Sequence, residues 1–109
     1  MKIPNIVLNR ICTLKNALGA SPSGIDYDTQ LTGIKCYVED KVKWENDSLN
    51  QGHQHSNYTL IAFNARSDMP FIIENDSIVT IDGDSREYIV VDAKKYKQIS
   101  DIHWELVCK

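Results

Sequence analysis

The chain has 109 residues, is 42% hydrophobic and 25% charged, and carries a formal net charge of -3. That is enough for one domain burying about two thirds of its unfolded surface, with no room for a second. With 12 Lys plus Arg against 15 Asp plus Glu, the overall field does not draw the chain onto a polyanion, because tight phosphate contact needs clustered cations. No stretch reaches the roughly 20 apolar residues of a membrane span, and Arg10 and Lys15 interrupt what a signal peptide keeps apolar. A cytosolic protein without a membrane partner is expected.

Residues 5–18 place Val7, Ile11, Leu14 and Leu18 at helical spacing, with Gly19 at the C-cap position, which predicts one short N-terminal helix. Strand stays open as the alternative, since Ile6, Val7, Ile11 and Thr13 are β-branched. Residues 19–30 concentrate Gly, Pro, Ser and Asp and read as a loop. In LTGIKCYVED, Ile34, Cys36 and Val38 alternate with Lys35, Tyr37 and Glu39, the pattern of a strand with one face in the core.

Residues 41–57, KVKWENDSLNQGHQHSN, show no period and are expected to form a long polar loop. Loops of that length inside a compact domain are functional or disordered. Folded back as a hairpin, the segment reaches about 25 Å from the body. It carries Trp44, Leu49, His53 and His55, which we take as candidate partner-contact residues, because a large apolar ring on a polar excursion commonly anchors against a partner. The alternative use of Trp44 is to plug the end of its own barrel.

The second half consists of strand signals: YTLIAFN, SIVTI, EYIVVDA and IHWELVC. Asp82-Gly83 supplies the positive φ of a tight reverse turn, so residues 77–92 are expected to form a β-hairpin. Pro70 makes residues 65–75 a connection or an edge. The fold expected is mainly β, a small antiparallel β-barrel or sandwich over residues 1–109. Its core would take Ile34, Cys36 and Val38, then Leu60 and Ala62, Ile78 and Thr80, Tyr88 and Val90, Trp104 and Leu106, subject to a one-residue register error that exchanges faces.

Chemistry-bearing patterns are sparse. Cys12, Cys36 and Cys108 form no CxxC pair and each lies in an apolar run, as buried free thiols do. His53, His55 and His103 could meet at a metal only if the polar segment folded onto the last strand. Asp82, Asp84 and Glu87, with Glu74 and Asp76 nearby, lack the spacing of a calcium loop. Lys94, Lys95, Tyr96 and Lys97 form a short basic-aromatic run that reads as a solvated connection or a phosphate contact. No catalytic residue, metal or cofactor is expected.

In order, the pieces are a short N-terminal segment, a strand, a long polar segment, then strands ending in a hairpin and a last strand. Over residues 58–92, YTLIAFNARSDMPFIIENDSIVTIDGDSREYIVVDA, with Asp76, Ile78, Asp82-Gly83, Tyr88, Val90 and Val91 at the matching positions, the chain resembles the head-closure, or head-tail connector, proteins of long-tailed bacteriophages and prophages. The resemblance implies a barrel that self-associates into a ring beneath the portal and meets portal or adaptor and tail proteins. It also implies residence in the virion, assembly in the host cytoplasm, and a long loop that lines or plugs a channel through which DNA passes as cargo. A tail-completion or terminator subunit is the related alternative. A small OB-like barrel stacking single-stranded nucleic acid on Tyr58, Phe63, Tyr88 or Trp104 is the alternative from another class.

Overall fold

The structure is a computed structural model. It describes residues 3–4, 6–22, 24–47, 52–70, 72–98 and 101–109, with 20–21, 42–47, 52–56 and 98 as backbone only. Eight strands follow one another: β1 (Arg10–Lys15), β2 (Ala17–Ser21), β3 (Gly24–Tyr27), β4 (Leu31–Asp47), β5 (Gly52–Asn64), β6 (Ile78–Ile81), β7 (Glu87–Gln98) and β8 (Asp101–Cys108). Six close an antiparallel barrel in the order β1-β4-β5-β8-β7-β6, while β2 and β3 form a separate two-stranded sheet.

The expected N-terminal helix is absent, because β1 closes the barrel. Arg10–Leu14 pairs with β4, Cys12 facing Ile34, and Cys12–Lys15 pairs with β6, Cys12 facing Ile81. A helix would satisfy its own backbone groups and leave two sheet edges open, a liability that closure removes. Of the four residues at helical spacing, Leu14 alone is buried, whereas Val7, Ile11 and Leu18 face solvent. The loop expected over residues 19–30 is also partly regular, since most of it lies in the β2–β3 hairpin.

The barrel interior is filled by side chains. Leu14, Ile34, Ile61, Phe63, Val79, Ile81, Val90 and Leu106 are all essentially inaccessible, and the three cysteines lie among them. Ile34, Cys36, Tyr88, Val90, Trp104 and Leu106 occupy the core as expected, and Val38 packs against it. Two strands are turned over relative to expectation. On β6 the inward residues are Val79 and Ile81, not Ile78 and Thr80, and on β5 they are Thr59, Ile61 and Phe63, not Leu60; Ala62 is buried from the other side. IVTI and LIAF are apolar on both faces, so alternation fixes no phase. Pairing does: Leu14 opposite Val79 and Ile61 opposite Leu106 set which side points in.

Residues 65–77 connect β5 to β6 across one end. Arg66 grips Asp68 with two bonds of 3.0 and 2.8 Å and donates to the Thr32 carbonyl at 2.9 Å, tying the connection to β4. Further along, Ile73 is buried, and a polar knot closes the segment. The Ser77 hydroxyl accepts from Ala17 N at 2.9 Å, with Asn16 Oδ1 at 3.0 Å and the Glu74 carbonyl at 2.7 Å competing for its single proton. Asn16 Oδ1 also accepts from Glu74 N at 2.9 Å. Asp76 adopts φ 72°, a left-handed conformation that Asp tolerates, while its N–H is bonded to the Val90 carbonyl at 2.8 Å. The β6–β7 hairpin forms as expected, with Gly83 at φ 86° in its turn.

Because Ser77 is wholly buried, Ser77→Ala leaves the Ala17 amide without its acceptor, a loss of about 1–3 kcal/mol. Phe63→Ala, which empties the position of the largest fully buried side chain, costs about 3–5 kcal/mol. Urea titration of both variants checks the order, and a Ser77→Ala midpoint equal to that of the parent would contradict the knot.

Candidate functional site

The described residues of the 41–57 segment are regular structure rather than loop. Residues 41–47 of β4 and 52–58 of β5 continue the sheet as a two-stranded ribbon, in register from Lys41 opposite Tyr58 to Asp47 opposite Gly52. The pairing of β4 with β1 ends at Cys36, and that of β5 with β8 begins at Thr59. Among the described residues the ribbon's two outer backbone edges therefore pair with nothing. Seven residue pairs at strand rise carry it about 20 Å beyond the barrel. Sequence missed the strands because apolar alternation records burial on a core, and this ribbon pairs with none of the other barrel strands.

The candidate contact residues distribute along this ribbon. Trp44 stands opposite His55 and Asn46 opposite His53, while Leu49 lies outside the described residues. The three imidazoles do not converge. His103 pairs with Asn64, at the far end of β5, nine residues from His55, a separation of about 30 Å. There His103 stacks on Tyr96 with ring centroids 4.8 Å apart and hydrogen-bonds Glu105 at 3.2 Å. No group of three metal-ligating side chains occurs among the described residues.

At the ribbon's root a depression of about 360 Å³ is lined by Asp40, Lys41, Asn57, Tyr58, Thr59 and Arg86. Its walls are braced: Thr59 Oγ1 donates to Asp40 at 2.8 Å, and Arg86 lies 4.7 Å from the centre of the Tyr88 ring. The acidic turn alongside is structural. Asp84 accepts from Arg86 N at 3.0 Å and from the Tyr88 hydroxyl at 2.9 Å, and these bonds hold its carboxyl below the usual range.

Of the four rings weighed for base stacking, Phe63, Tyr88 and Trp104 are core residues; Tyr58 alone is half-buried at the surface. Lys94, Tyr96 and Lys97 are exposed on β7, and Lys95 lies 5.6 Å from the Trp104 ring centre. The three thiols are buried and free. A hydrogen bond between Cys12 and Cys36 raises the former and lowers the latter, whereas burial alone pushes Cys108 up to about 12.

Compared with protein-family models, with curated proteins and with solved structures, the chain matches none.

The thiols fix the alkaline behaviour of the fold. Cys108 rises from 9.0 to about 12 on folding, so the folded chain keeps a proton that the unfolded chain releases first. This contribution is complete below about pH 9 and is lost as pH climbs towards 12. Urea midpoints are expected to fall between about pH 8 and 11, and Cys108→Val to flatten part of that fall. The remainder comes from Cys12, Tyr88 and Tyr37, all raised, set against Cys36, which is lowered. A midpoint independent of pH over that range would contradict the assignment.

Proposed function

We propose that this chain is a structural virion assembly protein that joins the phage head, at the portal or connector, to the tail and helps to close the DNA channel. The observation that carries the reading is a barrel packed solid with side chains from which a paired but otherwise unpartnered ribbon projects about 20 Å. A filled barrel is a mount, and open strand edges are the part of a β-protein that another chain can extend. The resemblance over residues 58–92 supports the same role. That stretch spans the end of β5, the connection that leaves β5 at the end away from the ribbon, and the β6–β7 hairpin, whose Arg86 lines the depression at the ribbon's root. A weakly acidic chain with few clustered cations suits a conduit that DNA passes without being held.

The test is to shorten the ribbon. With residues 43–56 replaced by an Asn-Gly turn, the barrel keeps its far-UV circular dichroism and urea midpoint. Capture by portal complex falls at least tenfold, and packaged particles lose DNA. Capture by tail tube alone, with none by portal, would move the chain to the tail-completion role. Full capture and normal particles from the shortened chain would overturn the reading. In the intact chain, limited proteolysis is expected to cut within residues 41–57 when it is free and to be blocked there once portal is added.

A further inference from the structure

We propose that the groove between β2 and residues 74–76 is a strand-addition site for a different protein, taking an extended segment in which one aliphatic side chain has Lys or Arg two residues to either side. The site is separate from the ribbon and does not rest on the connector role.

Backbone geometry gives the groove an open strand edge. β2 pairs with β3 on one side only. Ala17 N–H points the other way, to the Ser77 hydroxyl at 2.9 Å, so the second edge of β2 faces the connection that carries residues 74–76. Past Ala17 that edge has no strand partner among the described residues, and the groove, of about 530 Å³, opens alongside it. Strand addition uses such an arrangement: ladder bonds supply affinity, and every second side chain of the added segment enters the pocket.

The lining sets which side chains fit. The register shifts between Ala17 and Gly19, and Leu18, at the shift, is 63% exposed. Ile25, 41% exposed, lines the groove with it, and Ile72, 54% exposed, is held nearby through the bond of 3.3 Å that its carbonyl accepts from the Asn16 side chain. Aliphatic side chains this open, gathered on one concave surface, mark a place that a partner covers. Glu74 and Asp76 complete the lining, both exposed, and neither carboxylate has an ion-pair or hydrogen-bond partner among the described residues. Lys15, just before β2, sits over the Tyr27 ring at 5.5 Å instead. Two unpaired carboxylates beside an aliphatic surface select cations flanking an apolar side chain, and they turn away nucleic acid or an acidic lipid surface.

The groove is built before anything enters it. Asp76 N–H donates to the Val90 carbonyl at 2.8 Å, the Tyr27 hydroxyl to the Asp76 carbonyl at 3.3 Å, and Glu74 N–H to Asn16 Oδ1 at 2.9 Å. A preformed edge binds without first ordering itself. The chain's own basic runs do not supply the occupant. Residues 41–43 are held in the β4–β5 ladder and residues 94–97 in the β7–β8 ladder, with Lys94 opposite Glu105.

Titration of the isotope-labelled full chain with the synthetic peptide acetyl-Thr-Lys-Thr-Leu-Thr-Lys-Thr-amide, followed by NMR, tests the site. Saturable amide shifts are expected at residues 16–19, 25 and 72–77, with through-space contacts between the peptide backbone and that of Leu18 or Gly19. Replacing both peptide Lys by Glu, or the peptide Leu by Thr, is expected to weaken binding at least tenfold. Leu18→Ser, at a side chain outside the core, is expected to do the same. Glu74→Lys with Asp76→Asn, the Asn tolerating φ 72° at that position, is expected to reverse the preference, so that the Glu peptide binds more tightly than the Lys peptide. Unchanged circular dichroism shows that each variant is folded. No shifts at millimolar peptide, shifts centred elsewhere, or equal affinity for the Lys and Glu peptides overturn the site. Binding without the backbone contacts overturns strand addition. Shifts at the same residues on raising protein concentration alone, with none from the peptide, assign the groove to a second copy and also overturn the proposal. None of these outcomes bears on the ribbon, whose shortening tests the connector role independently.

Discussion

The molecule depends on the closure of its barrel by β1. Six residues, Arg10–Lys15, hydrogen-bond to β4 on one side and β6 on the other, and without them the remaining five barrel strands would present two open edges. Closing so small a barrel leaves a narrow interior, which must mix large and small side chains to fill without voids. Phe63 and Leu14 supply bulk, while Cys12, Cys36 and Cys108 fill smaller positions among them. The cysteines thus serve packing, and the hydrogen bond between Cys12 and Cys36 spans the very strand pair that closure requires.

Around this core the chain divides into parts held by different forces. The 65–77 connection is fixed by named polar bonds: the Arg66–Asp68 fork, the Asn16–Ser77 knot, and the amide bonds that pin residues 76 and 77 to Val90. Where it leaves the barrel the ribbon continues β4 and β5, paired residue by residue from Lys41 opposite Tyr58 to Asp47 opposite Gly52. A rigid mount and a projecting element joined through continuous strands transmit orientation without a hinge, because β4 and β5 run unbroken from core to ribbon.

The distribution of exposed groups fits that division. The groove between β2–β3 and residues 74–76 lies beside Val90, and the exposed outer half of β7 follows a bulge between Val90 and Asp92. The acidic turn at Asp84 belongs to a different category. Each oxygen of its carboxylate accepts a bond from within the turn, from Arg86 N and from the Tyr88 hydroxyl, whereas Glu74 and Asp76 are exposed beside the groove.

Several features were settled by the sequence alone. An all-antiparallel β domain, the hairpin turning at Asp82-Gly83, the interrupted connection at Pro70, buried free thiols, and inward-facing Ile34, Cys36, Tyr88, Val90, Trp104 and Leu106 each follow from local patterns that record burial or turn geometry. Tertiary pairing decided the rest. It made residues 10–15 a strand against their helical spacing, chose the inner faces of IVTI and LIAF, and turned a polar stretch without periodicity into a ribbon carrying Trp44, His53 and His55 at known register. In β1, Cys12 and Leu14 alternate inward, but the neighbouring apolar residues also fit a helical spacing, and only pairing with β4 and β6 chooses between the two. IVTI and LIAF are apolar on both faces, and the ribbon's polar sequence has no alternation, so backbone hydrogen bonding between distant segments leaves no mark there on side-chain polarity.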